Sequence, residues 1–248
     1  MYTKDNLMKH LSELNINPNG TLMIHVSLKA IGNTKDRADT VLDAVMEYMK
    51  PGLLVLPSHT WDNVNSENPV MDVLYTPTCV GILTELFRKR EGVNRSLHPT
   101  HSLAAFGKDS EEFVSGEEKI NTPCGKDGAY YRLWERNAQI LLIGVNFTSN
   151  TFIHGLEEWE NAIGAIDDKQ TDFYVIDKDG KRHYTPQYKH CAPHGSSTFT
   201  KLEPGLINEG IVTLGRFGDA PTRLMEAKPT REYVGKILKQ DPRYLLTY

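Results

Sequence analysis

The chain has 248 residues, 39% hydrophobic and 24% charged, with a formal net charge of −4. That is enough chain for one large soluble domain, and neither the charge balance nor any Lys/Arg run supports nucleic-acid binding. No apolar stretch reaches the ~20 residues of a membrane span, and three scattered cysteines fit a reducing cytoplasm rather than a disulfide framework.

The first expected element is an amphipathic helix carrying Leu7, Met8, Leu11 and Leu14, with no signal-peptide core. Asn17-Pro18-Asn19-Gly20 ends it. A strand over 21–26 follows, then a polar loop over 33–36, a helix over 38–49, a Pro51-Gly52 stop and a buried strand over 53–57. This order predicts a βαβ unit. Residues 62–78, rich in Asn, Pro and Asp, read as an irregular loop of the length that serves as a binding loop or lid. A helix over 80–90, a short strand over 102–107, a short helix over 130–136 and an apolar strand over 140–145 come next. Residues 173–184 predict a β-hairpin turning at Asp179-Gly180. A partly helical stretch over 198–208 should be interrupted by Pro204-Gly205. A strand over 211–214 and a helix starting near Pro229 close the chain. With no internal repeat or linker, the pattern predicts one α/β domain over 1–248, with a mixed sheet flanked by helices.

The segment Ser149-Asn150-Thr151-Phe152-Ile153-His154-Gly155-Leu156-Glu157 follows the strand over 140–145. On a helix, His154 and Glu157 share a face, and Thr151 lies one turn earlier. An imidazole beside a carboxylate just past a strand end suits a general base held in one orientation. The same spacing also occurs in ordinary surface pairs. Three further loops adjoin strands. In His25-Val26-Ser27-Leu28-Lys29-Ala30-Ile31-Gly32, backbone amides, the Ser27 hydroxyl and Lys29 suit an anionic group. Arg95-Ser96-Leu97-His98-Pro99-Thr100-His101-Ser102 is densely polar, and Asn121-Thr122-Pro123-Cys124-Gly125-Lys126-Asp127-Gly128 combines turn residues with a cation.

Taken in order, these segments resemble the aminoglycoside 3-N-acetyltransferase family. The resemblance rests on His25-Val26-Ser27-Leu28 with Ile31-Gly32, on Arg95-Ser96 with His98-Pro99 and Ser102, and on Pro123 with Gly125. Its most specific part is Leu142-Ile143-Gly144-Val145 followed by Ser149-Asn150-Thr151, His154 and Glu157. The stretch containing Gly215, Gly218, Ala220, Arg223 and Leu224 also fits. The resemblance implies an acetyl-coenzyme A-dependent acyltransferase acting on an amine of an amino sugar, in a fold specific to that family. It implies that His154 is the base and Glu157 its partner. It also implies that the Ser27-Leu28 loop, with Lys29, cradles the cofactor's pantetheine and pyrophosphate, and that Ser102 and Thr151 lie along the thioester end. The resemblance implies an acidic, antibiotic-binding region where this chain has the His-rich Lys189-His190-Cys191-Ala192-Pro193-His194-Gly195-Ser196-Ser197. This makes His194, with Asp62 and Glu158, a candidate acceptor contact and opens the alternative of an amino-sugar nucleotide or secondary metabolite. The expected setting is cytoplasmic, with a small-molecule amine as partner and room for a homodimer.

Three other readings stand beside it. A zinc hydrolase would draw on His190, Cys191 and His194 or on His98 and His101, although Pro193 and Pro99 oppose a regular helix at either set. A thiol acyltransferase would use Cys124 or Cys191. A binder that has lost turnover would keep the fold, but retention of both His154 and Glu157 speaks against it. No nucleotide-binding glycine fingerprint is present: Gly215-Arg216-Phe217-Gly218 is too short. No metal is expected.

Overall fold

The computed structural model describes residues 1–191 and 195–246. The elements in chain order begin with α1 (Lys4–Glu13), β1 (Thr21–Val26), α2 (Ala38–Tyr48), β2 (Leu53–Pro57), β3 (Val70–Asp72) and α3 (Ile82–Phe87). They continue with β4 (Asn94–Arg95), β5 (Leu103–Gly107), α4 (Ser110–Val114), α5 (Ala129–Glu135), β6 (Gln139–Ile143) and α6 (Thr151–Trp159). The last third holds β7 (Ile166–Thr171), β8 (Tyr174–Ile176), β9 (Arg182–Tyr184), β10 (Gln187–His190), α7 (Glu203–Asn208), β11 (Val212–Phe217), β12 (Ala220–Glu226) and α8 (Ala227–Gln240).

Seven strands form the main sheet in the order β11-β12-β6-β1-β2-β5-β4. β1 pairs in parallel with β2 on one side and β6 on the other. The outer strands join antiparallel, so the sheet is mixed. Period-2 alternation sends residues to two core layers. In β6, Ile140 and Leu142 enter the layer packed by α5, α6 and α8, while Leu141 and Ile143 enter the layer packed by α1, α2 and α3. Each such side chain removed from water contributes roughly 1.5–3 kcal/mol. Burial on both faces explains why these strands read as continuous apolar runs.

The expected βαβ unit is present, with the strands at their expected bounds. Three local expectations are corrected. The apolar run over 140–145 ends as a strand at Ile143, because Gly144 turns away at φ 64°. A Cβ there would stand 2.2 Å from the Ala30 Cβ, so the close approach of this exit to the β1 exit requires glycine. Pro204 does not break a helix; it sits in the first turn of α7, where its missing N–H costs nothing. The loop over 62–78 contains β3, which pairs in parallel with β8 in a small sheet completed by the expected hairpin partner β9. β7 and β10 form a separate antiparallel ribbon.

Candidate active site

The three parallel strands β6, β1 and β2 all end at the same edge, and β1 lies at the point from which the chain crosses to both sides. Such a switch point leaves a crevice at the carboxyl ends of the strands. A cavity of about 840 Å³ lies there. His25 and Val26 from the end of β1, Pro57 and His59 from the end of β2, and Val145 beyond β6 line it, and α6 adds Thr151 and His154.

α6 begins directly after Asn150, a fully buried residue whose Nδ2 donates to Met225 Sδ at 3.5 Å. This anchors the helix start at the cavity. His154 Nδ1 and Glu157 Oε2 lie 2.9 Å apart. Because an ionised carboxylate only accepts, Nδ1 carries the proton of the neutral ring and Nε2 keeps its lone pair. The His154 ring stacks on His190 at 4.1 Å between centroids and meets the edge of Phe199 at 4.6 Å. These contacts leave the imidazole little rotational freedom.

His190 forms a second pair behind the first. Its Nε2 lies 3.0 Å from Glu158 Oε1, which also accepts the Cys124 N–H at 2.8 Å. Burial pushes the Glu158 carboxyl up to about 8 and drives His190 well below its ordinary value. His101 packs between His190 at 5.1 Å and His59 at 4.8 Å, and the His59 Nε2 and the Tyr130 hydroxyl are hydrogen-bonded at 2.7 Å. Burial holds His59 and His101 neutral, and it lowers His25 to about 3.

Thr151, His154 and Glu157 thus come together as their spacing predicts. Several other candidates do not. Ser102 is fully buried and absent from the cavity wall; its hydroxyl donates to Ser58 O at 2.7 Å and accepts from Arg95 Nε at 3.2 Å. Ser102 therefore belongs to a clamp in which Arg95 also donates to Ser58 O and Thr76 O. Ser27, Leu28 and Lys29 sit just past the last wall residue of β1. Leu28 packs on the core below the sheet, and Lys29 is exposed. Asp62 is exposed and off the wall, although its neighbour Trp61 lines it. Glu158 is not an acceptor contact, since its carboxylate is sequestered behind His190. His194 lies outside the described residues.

The rival chemistries meet specific obstacles. His98 Nδ1 accepts from the N–H groups of Thr100 and His101 at 3.2 and 2.9 Å, so its Nε2–H donates to Thr122 O at 3.1 Å. Both ring nitrogens of His98 are engaged in loop structure. Among the described residues, Cys124, Glu158 and His190 bring donor atoms within 4.8 Å of one another, a set that shares only His190 with those suggested by spacing. Burial raises both the Cys124 and Cys191 thiols, Cys124 far more, which disfavours the thiolate that a nucleophile needs. His59 carries no motif in the sequence, although it stands, like Ser27, just beyond a buried strand. Treating every polar residue at a strand exit alike would have found it.

A family model described as aminoglycoside 3-N-acetyltransferase matches residues 23–239. The chain belongs to the aminoglycoside 3-N-acetyltransferase family. It is 26% identical over 255 residues to the SPbeta prophage-derived aminoglycoside N(3')-acetyltransferase-like protein YokD of Bacillus subtilis, across 94% of this chain and 91% of that one. Identity to aminoglycoside N(3)-acetyltransferase VII of Streptomyces paromomycinus is 25%, across 93% and 89%. The solved apoenzyme of aminoglycoside acetyltransferase AAC(3)-IVa has the same fold, with a TM-score of 0.85 at 23% identity, covering 100% of this chain and 92% of that one. AAC-IIIb in its binary complex with CoASH gives a TM-score of 0.84 at 20% identity, covering 96% and 97%. Members of this aminoglycoside 3-N-acetyltransferase family are acyltransferases, and the mixed sheet described above is the family's fold as this chain builds it. Among the described residues, no helix is long and apolar enough to cross a membrane.

Proposed function

We propose that this protein transfers an acetyl group from acetyl-coenzyme A to a primary amine of an amino sugar or related small molecule, with His154 as general base. One observation carries the reading: the oriented His154–Glu157 pair opens onto the cavity at the carboxyl ends of β6, β1 and β2. Family membership supports acyl transfer, and the CoASH held by AAC-IIIb supports coenzyme A as the carrier. The cavity suits that carrier, because its volume exceeds a pantetheine arm and much of its wall is aliphatic or aromatic.

An ammonium has no lone pair for attack, so a proton must leave the nitrogen. His154 Nε2 accepts it while Glu157 holds Nδ1–H and stabilises the imidazolium, a role typically worth ~100- to 10,000-fold in rate. Thr151, one turn away on the same face, also lines the cavity, and its hydroxyl would stabilise the charge that builds on the acyl oxygen. No protein nucleophile is needed once both substrates share the cavity. Release of free thiol from acetyl-coenzyme A, measured with amine acceptors for the wild type and for His154→Ala, tests the reading. Amine-dependent release that survives the substitution would remove His154 from the mechanism.

A further inference from the structure

The charge on the cavity wall is unusual for a site that receives amines. Among the described residues, no aspartate or glutamate lines it, and its one formally charged side chain is Lys189. Behind the wall, Glu157 holds His154, and Glu158 takes the N–H of Cys124 and pairs with His190; at the rim, Asp167 and Asp168 lie close enough to add to burial in raising the Cys191 thiol, and Asp167 faces Lys189. The wall histidines His25, His59, His101 and His190 are kept neutral by burial, and His25 Nε2 has no partner in the protein. Much of the remaining wall is apolar, including Val26, Pro57, Val64, Val80 and Phe173, with the half-exposed Trp61 ring among them.

A ligand with several ammonium groups would lose hydration at each one inside this cavity and find no carboxylate on its wall to replace it. Lys189 adds a positive charge at the rim, partly answered by Asp167. Only the reacting nitrogen escapes this cost, because His154 takes its proton. A body without further cations meets no such penalty. Trp61 offers a face to a sugar or aromatic ring, and Lys189 with the Ser149 and Ser196 side chains suits a negative group. Given the acetyl-transfer reading above, we infer that the acceptor carries a single basic nitrogen on an uncharged or anionic body, and that polycationic aminoglycosides are poor substrates.

The test compares three acceptors with wild-type enzyme and acetyl-coenzyme A, following thiol release and product mass. Sisomicin supplies the polycation, glucosamine one amine on a neutral body, and a uridine-diphosphate-linked glucosamine one amine on an anionic body. The expected result is a kcat/KM at least ~100-fold higher for one of the single-amine acceptors than for sisomicin, in line with the cost of unpaired buried charge. The glucosamine and nucleotide arms separate the neutral body from the anionic one. Two variants check the cause. Asn65→Asp keeps the side-chain oxygen that accepts from the N–H groups of Glu67 and Asn68 while adding a negative charge at the wall. Lys189→Glu changes an exposed side chain. Each should shift the preference toward sisomicin by ~2–5-fold, the range of a partly screened charge pair. Sisomicin turnover equal to or above both single-amine acceptors would overturn the inference and leave acetyl transfer standing. Bound coenzyme with no acetylation of any of the three would overturn the acetyl-transfer reading itself.

Discussion

Two of the histidine–carboxylate pairs among the described residues are alike in coverage but stand in very different places. His154 and Glu157 meet at 2.9 Å on α6, and His183 and Asp177 meet at 2.7 Å across the small hairpin of β8 and β9. Their side chains are similarly covered, 15% and 10% exposed against 20% and 18%. The difference lies in which nitrogen is held and what the other one faces. His154 is held through Nδ1, so Nε2, the far tip of the ring, is left for the cavity. His183 is held through Nε2, which ties its tip to the turn. Asp177 also accepts from the N–H groups of Asp179 and Lys181, and the His183 hydrogen bond holds its carboxyl below the usual range. One pair presents a base to a crevice; the other closes a hairpin. A pair of residue types becomes a catalytic candidate only through the backbone that carries it.

The largest test of this contrast is His154→Ala, expected to lower kcat by at least ~100-fold. Coenzyme A affinity measured by calorimetry should change little, because a base acts mainly in the transition state. Next is Glu157→Gln, which keeps a hydrogen-bond acceptor for Nδ1 but loses the charge that stabilises the imidazolium. A fall of ~10-fold in kcat, smaller than that of His154→Ala, is expected. An equal or greater loss would give Glu157 more than an orienting part.

The third pair, His190–Glu158, sharpens the contrast through stability. Burial raises the Glu158 carboxyl from 4.5 to about 8, so the folded protein holds a proton that the unfolded chain releases above its ordinary value. The stability this provides is complete at low pH and is lost between about pH 4.5 and 8. Glutamine does not titrate. Urea unfolding at pH 5 and pH 8 should show Glu158→Gln gaining about 1–3 kcal/mol on the wild type across that interval. A constant gap would mean that Glu158 is ionised in the native state throughout. The smallest effect belongs to His183→Ala, which should leave kcat/KM within ~2-fold and the urea midpoint close to that of the wild type, as for other pairs near the surface.

The central strands and the βαβ unit were legible because the apolar residues of β1, β2 and β6 alternate between two buried layers, which leaves apolar runs between turn residues. β7 was not, because Ile166–Thr171 carries Asp, Lys and Gln at exposed positions and neither face has an apolar signature. β12 was recognisable only as part of a family-like stretch, since Pro221 and Arg223 interrupt its pattern. Within the site, helical spacing was enough to join His154 and Glu157. It could not separate Ser102, which the Arg95 clamp withdraws from the cavity, from Thr151, which faces it.

Local periodicity and spacing, then, are sufficient for the α/β class, the central strands and the shared face of His154 and Glu157, because each depends on residues a few positions apart. The neutral histidine cluster, the sequestration of Glu158 and the carboxylate-free wall arise where β1, β2, β6, α6 and β10 converge. Those segments are distant in the chain, and the burial and charge environment at their meeting point exist only once all of them have packed.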